Sequence, residues 1–381
     1  MARWGLARRP PMPWKVYPVS EQRLTFVRLV DSLGYPVAQA CREFGISRKT
    51  GYKWLERYRA DPDADLIDES RRPRRSPGRT DRRVEQRILA LRDASGWGAR
   101  KIRSVLQRRH VEVPSVKTVH NILRRYNRVH PPPQGGPPPQ RFECPKPNGM
   151  WQLDFKGPVE VARRRRHPLT VVDDHSRYLL VLRLCNDHTF RTTWRWLWEA
   201  FGQFGLPESL LSDNAFGTTH QYPKTLSQFD AKLVRLDIRP IHGRPRHPQT
   251  QGKVERLNGT IQRELYPRAR TEQLRHFHAD AERWRRVYNT LRPHEALDDQ
   301  PPVSRWRPSP RRRPDELPPV EYPPGSVLRK VSKVGDIHYR CYRILAGYGL
   351  IGQYVRVEER DDAIVLYYSW KRIRLVPRDR L

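Results

Sequence analysis

Asp154, Asp213 and Glu255 are the residues whose types and settings bear most directly on chemistry. Asp154 falls inside Trp151-Gln-Leu-Asp-Phe155, where apolar and polar residues alternate as in a half-buried strand. An acid in mid-strand is disfavoured by propensity, so its presence asks for a reason. Asp213 closes a short apolar run, Ser209-Leu-Leu-Ser, and its Asp-Asn pair also suits a plain turn. Glu255 lies between Lys253 and Arg256 on a helical stretch, and taken alone it is an ordinary solvated acid. Together the three carboxylates form a candidate site for hard divalent cations, which prefer oxygen ligands. Two such ions about 3.5–4 Å apart clamp the attacking and leaving oxygens of an in-line phosphoryl displacement.

The elements that must position these acids are legible around them. The stretch Arg244 to Thr260 is a basic loop running into a helix, with a tight entry at His247-Pro248 and Gly252. Val254, Leu257, Ile261 and Leu265 recur at helical spacing, which sets Glu255, Asn258 and Gln262 on the opposite face. Thr170 to Asp174 and Tyr178 to Leu184 read as a hairpin after the Asp154 strand, and Phe190 to Phe204 as a helix. A strand at Asp213, a helix from near Leu226, a strand at Ile238 and the Glu255 helix complete the order of an RNase H-like mixed sheet. Asp173 and Asp174 are rival ligands but read as turn residues, and Trp194, Trp196 and Trp198 read as core rather than as stacking platforms.

Four blocks carry a resemblance to a known family: Trp151-Gln-Leu-Asp154, Val171-Val-Asp-Asp-His-Ser-Arg-Tyr178, Leu211-Ser-Asp213-Asn, and His247-Pro-Gln-Thr-Gln-Gly-Lys-Val-Glu255-Arg. In this order they resemble the DDE transposases of bacterial insertion sequences with a retroviral-integrase-type core. Tyr288 to Leu297 is similar to that family's closing helix and turn, so the resemblance spans roughly Trp151 to Pro302. Two features depart from it. Ala215 stands where the family has Gly after Asp-Asn, and Asp213 and Glu255 are 42 positions apart, several more than usual. The surplus is expected between Phe216 and Lys224.

Composition fits a polyanionic partner. Of 381 residues, 74 are Lys or Arg against 41 Asp or Glu, a net charge of +33, and only 13 of the cations are lysine. Phosphate neutralisation dominates nucleic-acid affinity, so an excess of this size points to DNA. No apolar run approaches the ~18 residues of a membrane span, and the N-terminus lacks the apolar core of a signal peptide. Cys41, Cys144, Cys185 and Cys341 have no metal or disulfide spacing, and the histidines form no zinc pattern. A reduced, cytoplasmic, nucleoid-associated protein without a membrane role is the expectation.

Organisation follows from breaks in pattern. Residues 1–20 read as a disordered Pro/Arg-rich N-terminus, with Met12 an alternative start, and 21–66 as a helix-turn-helix. Ser47 is placed to cap its second helix, leaving Arg48, Lys49, Thr50 and Lys53 as DNA readers. A basic linker at 67–81 leads to a second helix-turn-helix-like module at 82–127, with Ser115 as a cap and Lys117 outward. A Pro-rich linker at 128–147, the catalytic core at 148–300 and a Pro/Arg linker at 301–324 follow. Residues 325–381 alternate around Gly-rich turns, as a small all-β SH3-like barrel would. The expected protein is thus multidomain: all-α modules, an α/β core and a β-barrel.

The resemblance implies an enzyme that binds the terminal inverted repeats of its element, frees a 3′-hydroxyl by two-metal phosphodiester hydrolysis, and transfers it to target DNA. It assigns Asp154, Asp213 and Glu255 to two Mg²⁺ ions, with Mn²⁺ able to substitute. Arg244, Arg246, Lys253, Arg256 and Asn258 would hold DNA beside them, and pairing two ends implies a homodimer or larger. Two alternatives stay open: a non-catalytic DNA-binding repressor from a decayed element, and an RNase H-like nuclease that cuts without joining.

Overall fold

The computed structural model describes residues 18–63, 65–68, 78–129, 143–212, 225–242 and 252–380. The N-terminal stretch before Pro18, most of both linkers ahead of the core, Asp213, Arg244, Arg246 and the His247-Pro248 entry lie outside them. The chain divides into two compact units, the first ending at Arg79.

The first unit holds three helices, α1 (Val19–Asp31), α2 (Val37–Glu43) and α3 (Arg48–Ala60). Phe26, Val27, Val30, Ala40, Cys41, Trp54, Leu55 and Leu66 form its core. Gly45 makes the turn between α2 and α3 at φ +64°, a conformation glycine adopts without penalty. The Ser47 hydroxyl accepts from the Thr50 amide at 3.2 Å, capping α3 as the sequence implies. Gly51 lets α3 approach closely, since a Cβ there would stand 2.5 Å from Cys41 Sγ.

The second unit opens with α4 (Arg82–Ser95), α5 (Ala99–Arg108) and α6 (Val116–Arg125), closed over Ile88, Trp97, Ile102, Val105, Leu106, Val119 and Ile122. Ser115 caps α6 through the Thr118 amide. Both modules are helix-turn-helix folds.

The core that follows is a mixed sheet with helices on both faces. Its strands are β1 (Trp151–Phe155), β2 (Val159–Val161), β3 (Arg164–Asp173), β4 (Leu179–Cys185), β5 (Ser209–Ser212) and β6 (Arg239–His242). β3 pairs antiparallel with β4 on one edge and with β1 and β2 on the other. β5 and β6 then add in parallel to β1. The helices α7 (Phe190–Phe204) and α8 (Gln228–Arg235) cover one face, burying Leu197, Phe201, Phe229 and Leu233 against Trp151, Leu153 and Leu169. On the other face lie α9 (Gly252–Glu264) and α10 (Leu274–Thr290), with Val254, Leu257, Ile261 and Phe277 against Val172, Leu179 and Leu182. This is the RNase H-like arrangement. Trp194, Trp196 and Trp198 are partly buried against the α7 face, in keeping with a packing role.

Three details depart from expectation. The β2 strand adds a hairpin that no turn signal announced. Residues 302–313, expected as a linker, run along the core: Trp306 stacks on Tyr178 at 4.1 Å, and Arg311 donates to the Pro207 and Leu236 carbonyls. The third lies in residues 325–381, where two strands form a separate hairpin. It is β8 (Asp336–Tyr339) and β9 (Tyr342–Leu345) folded back at Arg340, whose φ is +53°.

Beyond that hairpin, β7 (Val327–Lys330), β10 (Tyr354–Glu359), β11 (Ala363–Tyr368) and β12 (Lys371–Pro377) form an antiparallel sheet in the order β12-β11-β10-β7. The strand pairings leave sheet and hairpin separate, while one apolar cluster joins both to Leu226, Ala231 and Val234. Trp370 Nε1 donates to the Val234 carbonyl at 3.1 Å, fastening the sheet to α8.

Candidate active site

Alternation along β1 decides where Asp154 points. Trp151 and Leu153 enter the α7 face, so Gln152 and Asp154 face the side covered by α9. There Asn258 Nδ2 donates to Asp154 Oδ2 at 2.7 Å, tying the half-buried acid to α9. Glu255 stands three residues earlier on that helix, about 4.5 Å of rise away. It is exposed, and its side chain makes no hydrogen bond or ion pair with the described residues. β5 lies alongside β1 in parallel, with Gln152 opposite Leu211. The chain leaves β5 at Ser212, one residue before Asp213.

Asp173 and Asp174 are fully buried and committed to structure. Asp173 accepts from Ser176 N and from Asn148 N at 2.8 and 2.7 Å, closing the turn after β3. Burial pushes its carboxyl above the usual range, while these donors pull the other way. Asp174 accepts from Cys144 N, Gln152 Nε2 and Lys253 Nζ, each at 2.6 Å. Lys253, expected on DNA, is therefore engaged inside the protein in a pair that anchors the start of α9. Burial holds its ammonium below the ordinary lysine value, against the pull of Asp174. At the other strand ends Ser212 Oγ meets His242 Nδ1 at 3.3 Å, and His242 Nε2 meets the buried Asp230 at 2.9 Å. That relay ties the ends of β5 and β6 to α8.

The remaining candidates are dispersed, most of them on the surface. Arg256 is exposed on α9 and Lys117 on α6, and neither side chain has a partner among the described residues. Asn258, also expected on DNA, is buried, with Oδ1 left unpartnered. Arg48, Lys49 and Lys53 are exposed on α3, whereas Thr50 shares a hydroxyl contact with Ser47. Lys53 Nζ also stands 4.4 Å from the Trp54 ring. Tyr52 is 54% exposed on that same helix, where an apolar pattern would assign it to the core.

One polar node escaped sequence reasoning. Glu264, at the far end of α9, takes a two-pronged contact from Arg292, with closest approach 2.9 Å, and a bond from Trp97 Nε1 at 3.3 Å. Lys101 stands 3.9 Å from it. Arg108 adds bonds to the Asp299 and Leu291 carbonyls. The helix that bears Glu255 thus also seats the second helix-turn-helix module.

The carboxylates of Asp154 and Glu255 are donors that suit a hard divalent cation. Among the described residues no group of three His, Cys, Asp or Glu side chains is close enough to hold a metal, and Asp213 lies outside them.

Comparison with known proteins agrees with this architecture. Residues 145–248 and 236–302 match family models described as integrase core domains. Residues 145–302 thus carry an integrase core, the feature that makes this chain similar to insertion-sequence transposases of the DDE type. Residues 22–74 and 50–123 match a helix-turn-helix domain and a homeodomain-like domain. The chain is 31% identical over 120 residues to the Pol polyprotein of Radiation murine leukemia virus (strain Kaplan), covering 32% of this chain and 20% of that protein. It is 29% identical over 161 residues to the insertion element IS476 uncharacterized 39.2 kDa protein of Xanthomonas euvesicatoria, covering 41% and 44%. The chain thus spans less than half the length of these relatives.

Among solved structures, the HTLV-2 integrase catalytic core domain in complex with magnesium is 18% identical, covering 43% of this chain and 99% of that one at a TM-score of 0.33. The simian T-cell lymphotropic virus intasome in complex with PP2A regulatory subunit B56 gamma is 18% identical, covering 76% and 96% at 0.37. No helix among the described residues is long and apolar enough to cross a membrane.

Proposed function

We propose that the chain is a DDE-type polynucleotidyl transferase, a transposase that binds the terminal inverted repeats of its element, hydrolyses a phosphodiester and joins the freed 3′-hydroxyl to target DNA. The observation that carries this reading is the bond from Asn258 to Asp154. It brings the strand-borne acid to the helix that bears Glu255, at the end of β1 beside which β5 leads to Asp213.

Two divalent ions, Mg²⁺ or Mn²⁺, would supply the Lewis acidity and activated water, held by Asp154, Asp213 and Glu255. Asn258 orients Asp154 and limits its rotation. Arg244, Arg246 and Arg256 would neutralise phosphates flanking the reacting bond, and α3 and α6 would read the terminal repeats through Arg48, Lys49 and Lys117. The C-terminal sheet and hairpin would act as a small SH3-like barrel with Arg329, Lys330, Lys371 and Arg372 toward DNA. Pairing two ends calls for a dimer or larger, working in the cytoplasm on the nucleoid.

A joining assay with labelled terminal DNA and a supercoiled target tests the reading. Asp154→Asn and Glu255→Gln should each abolish both cleavage and joining while end binding persists. Full joining by either variant would sink the assignment. Cleavage without joining by the unaltered protein would leave a nuclease, and metal-indifferent binding alone would leave a repressor.

A further inference from the structure

The hairpin between β2 and β3 carries Ala162-Arg163-Arg164-Arg165 at its turn. All three arginines are exposed, and none of their side chains makes a hydrogen bond or ion pair with the described residues. Glu160 lies directly across from Arg165 in register, yet the two do not pair. The turn itself is unusual. Two-residue hairpin turns with both residues at positive φ favour Asn-Gly, whereas Ala162 and Arg163 hold φ of +54° and +56°. The fold keeps them there: the Ala162 amide donates to the Thr271 carbonyl at 2.7 Å, and Val161 is buried beneath. The guanidinium groups therefore stand on a braced ridge rather than on a tether, which lowers the entropy lost when they meet a ligand.

Direction matters as much as charge. Asp154 pairs with Thr170, and β3 continues toward Arg164 beyond the C-terminal end of β1. The ridge thus leaves the sheet at the end of the strands where Asp154 lies. Six residues of strand separate Thr170 from Arg164, about 20 Å. One turn of duplex is about 34–36 Å, so a single duplex lying at Asp154 reaches the ridge without bending.

We infer that Arg163, Arg164 and Arg165 form a sequence-independent clamp on the phosphate backbone of double-stranded DNA bound along this end of the sheet. The inference rests on the DNA-joining reading above, but its test does not require catalysis.

Binding of the full chain to a random-sequence duplex and to a duplex of the element's end sequence would be measured by fluorescence anisotropy across a salt series. Three neutralised phosphates contribute a slope of about 2.7 in log K against log salt. The triple variant R163Q/R164Q/R165Q should lose about that much slope, and the triple Arg→Lys variant should keep it. Loss on the random duplex alone assigns the clamp to target DNA, loss on the end duplex alone assigns it to the element, and loss on both makes it common. An unchanged slope in the Gln variant overturns the clamp while leaving the broader reading intact. An unaltered protein with no salt-dependent DNA binding overturns both. As a second readout, a photoreactive phenylalanine analogue placed at Arg164 should label bound duplex, and the same probe at Arg286 on α10 should not. Absence of labelling at Arg164 overturns the clamp even if the Gln variant folds poorly.

Discussion

Asn258 Nδ2 lies 2.7 Å from Asp154 Oδ2, and this bond ties the helix that bears Glu255 to the central strand of the sheet. Partners that orient a ligand typically matter by roughly 10–100-fold when removed. Asn258→Ala should therefore lower joining by about that factor without abolishing it, and should raise the Mg²⁺ concentration needed for half-maximal activity. Asn258→Asp should be worse, since it sets a second carboxylate against Asp154. A metal titration of the joining reaction checks both, and wild-type activity in Asn258→Ala would remove Asn258 from the site.

Glu255 offers a cleaner separation of function from fold. It is exposed and its side chain makes no bond with the described residues, so its loss should cost the fold little. Surface substitutions of this kind are usually within about 0.5 kcal/mol. Glu255→Gln should unfold with the same midpoint as the wild-type chain in a denaturant titration while losing joining altogether. A large stability loss would mean that Glu255 is structural.

Lys253 should behave in the opposite way. Its ammonium is 2.6 Å from the fully buried Asp174, which also takes Cys144 N and Gln152 Nε2. Removing one partner of a buried pair leaves an uncompensated charge, at about 3–5 kcal/mol. Lys253→Met should destabilise on that scale, and the double variant K253M/D174N should recover much of the loss. The salt slope for DNA binding should not change. A stable Lys253→Met with a shallower slope would return Lys253 to the DNA surface.

These residues also show how far the sequence could be read. Periodicity carried the elements: Val254, Leu257, Ile261 and Leu265 are all buried, and Ser47 and Ser115 both cap the helices that follow them. Alternation along β1 carried the side to which Asp154 turns. What periodicity cannot carry is a polar contact between distant positions. Lys253 and Asn258 look like surface groups in a list of helical positions, and only the meeting of α9 with β1 and the β3 turn gives them interior partners. The β2 hairpin was hidden for a different reason, because its turn uses Ala162 and Arg163 where a glycine would have signalled it. The contact of Trp97 with Glu264 joins residues 167 positions apart, and nothing local marks either one.

That contact carries the last prediction. Lys101 stands in the same node, where burial, with Arg292 beside it, lowers its ammonium to about 8 despite Glu264 3.9 Å away. The folded value lies below the unfolded one, so the folded chain gives up this proton first as pH rises. Keeping the charge therefore costs stability below about pH 8, and the cost fades between pH 8 and the unfolded lysine value near 10.5. A displacement of that size corresponds to at most about 3 kcal/mol. Lys101→Met should raise the thermal midpoint at pH 7 relative to wild type, and the difference should shrink toward zero by about pH 10. Comparing the two proteins at each pH cancels every other titrating group. A constant difference across that range would show that Lys101 is solvated, and that Arg292 and Trp97 hold the module on Glu264 without it.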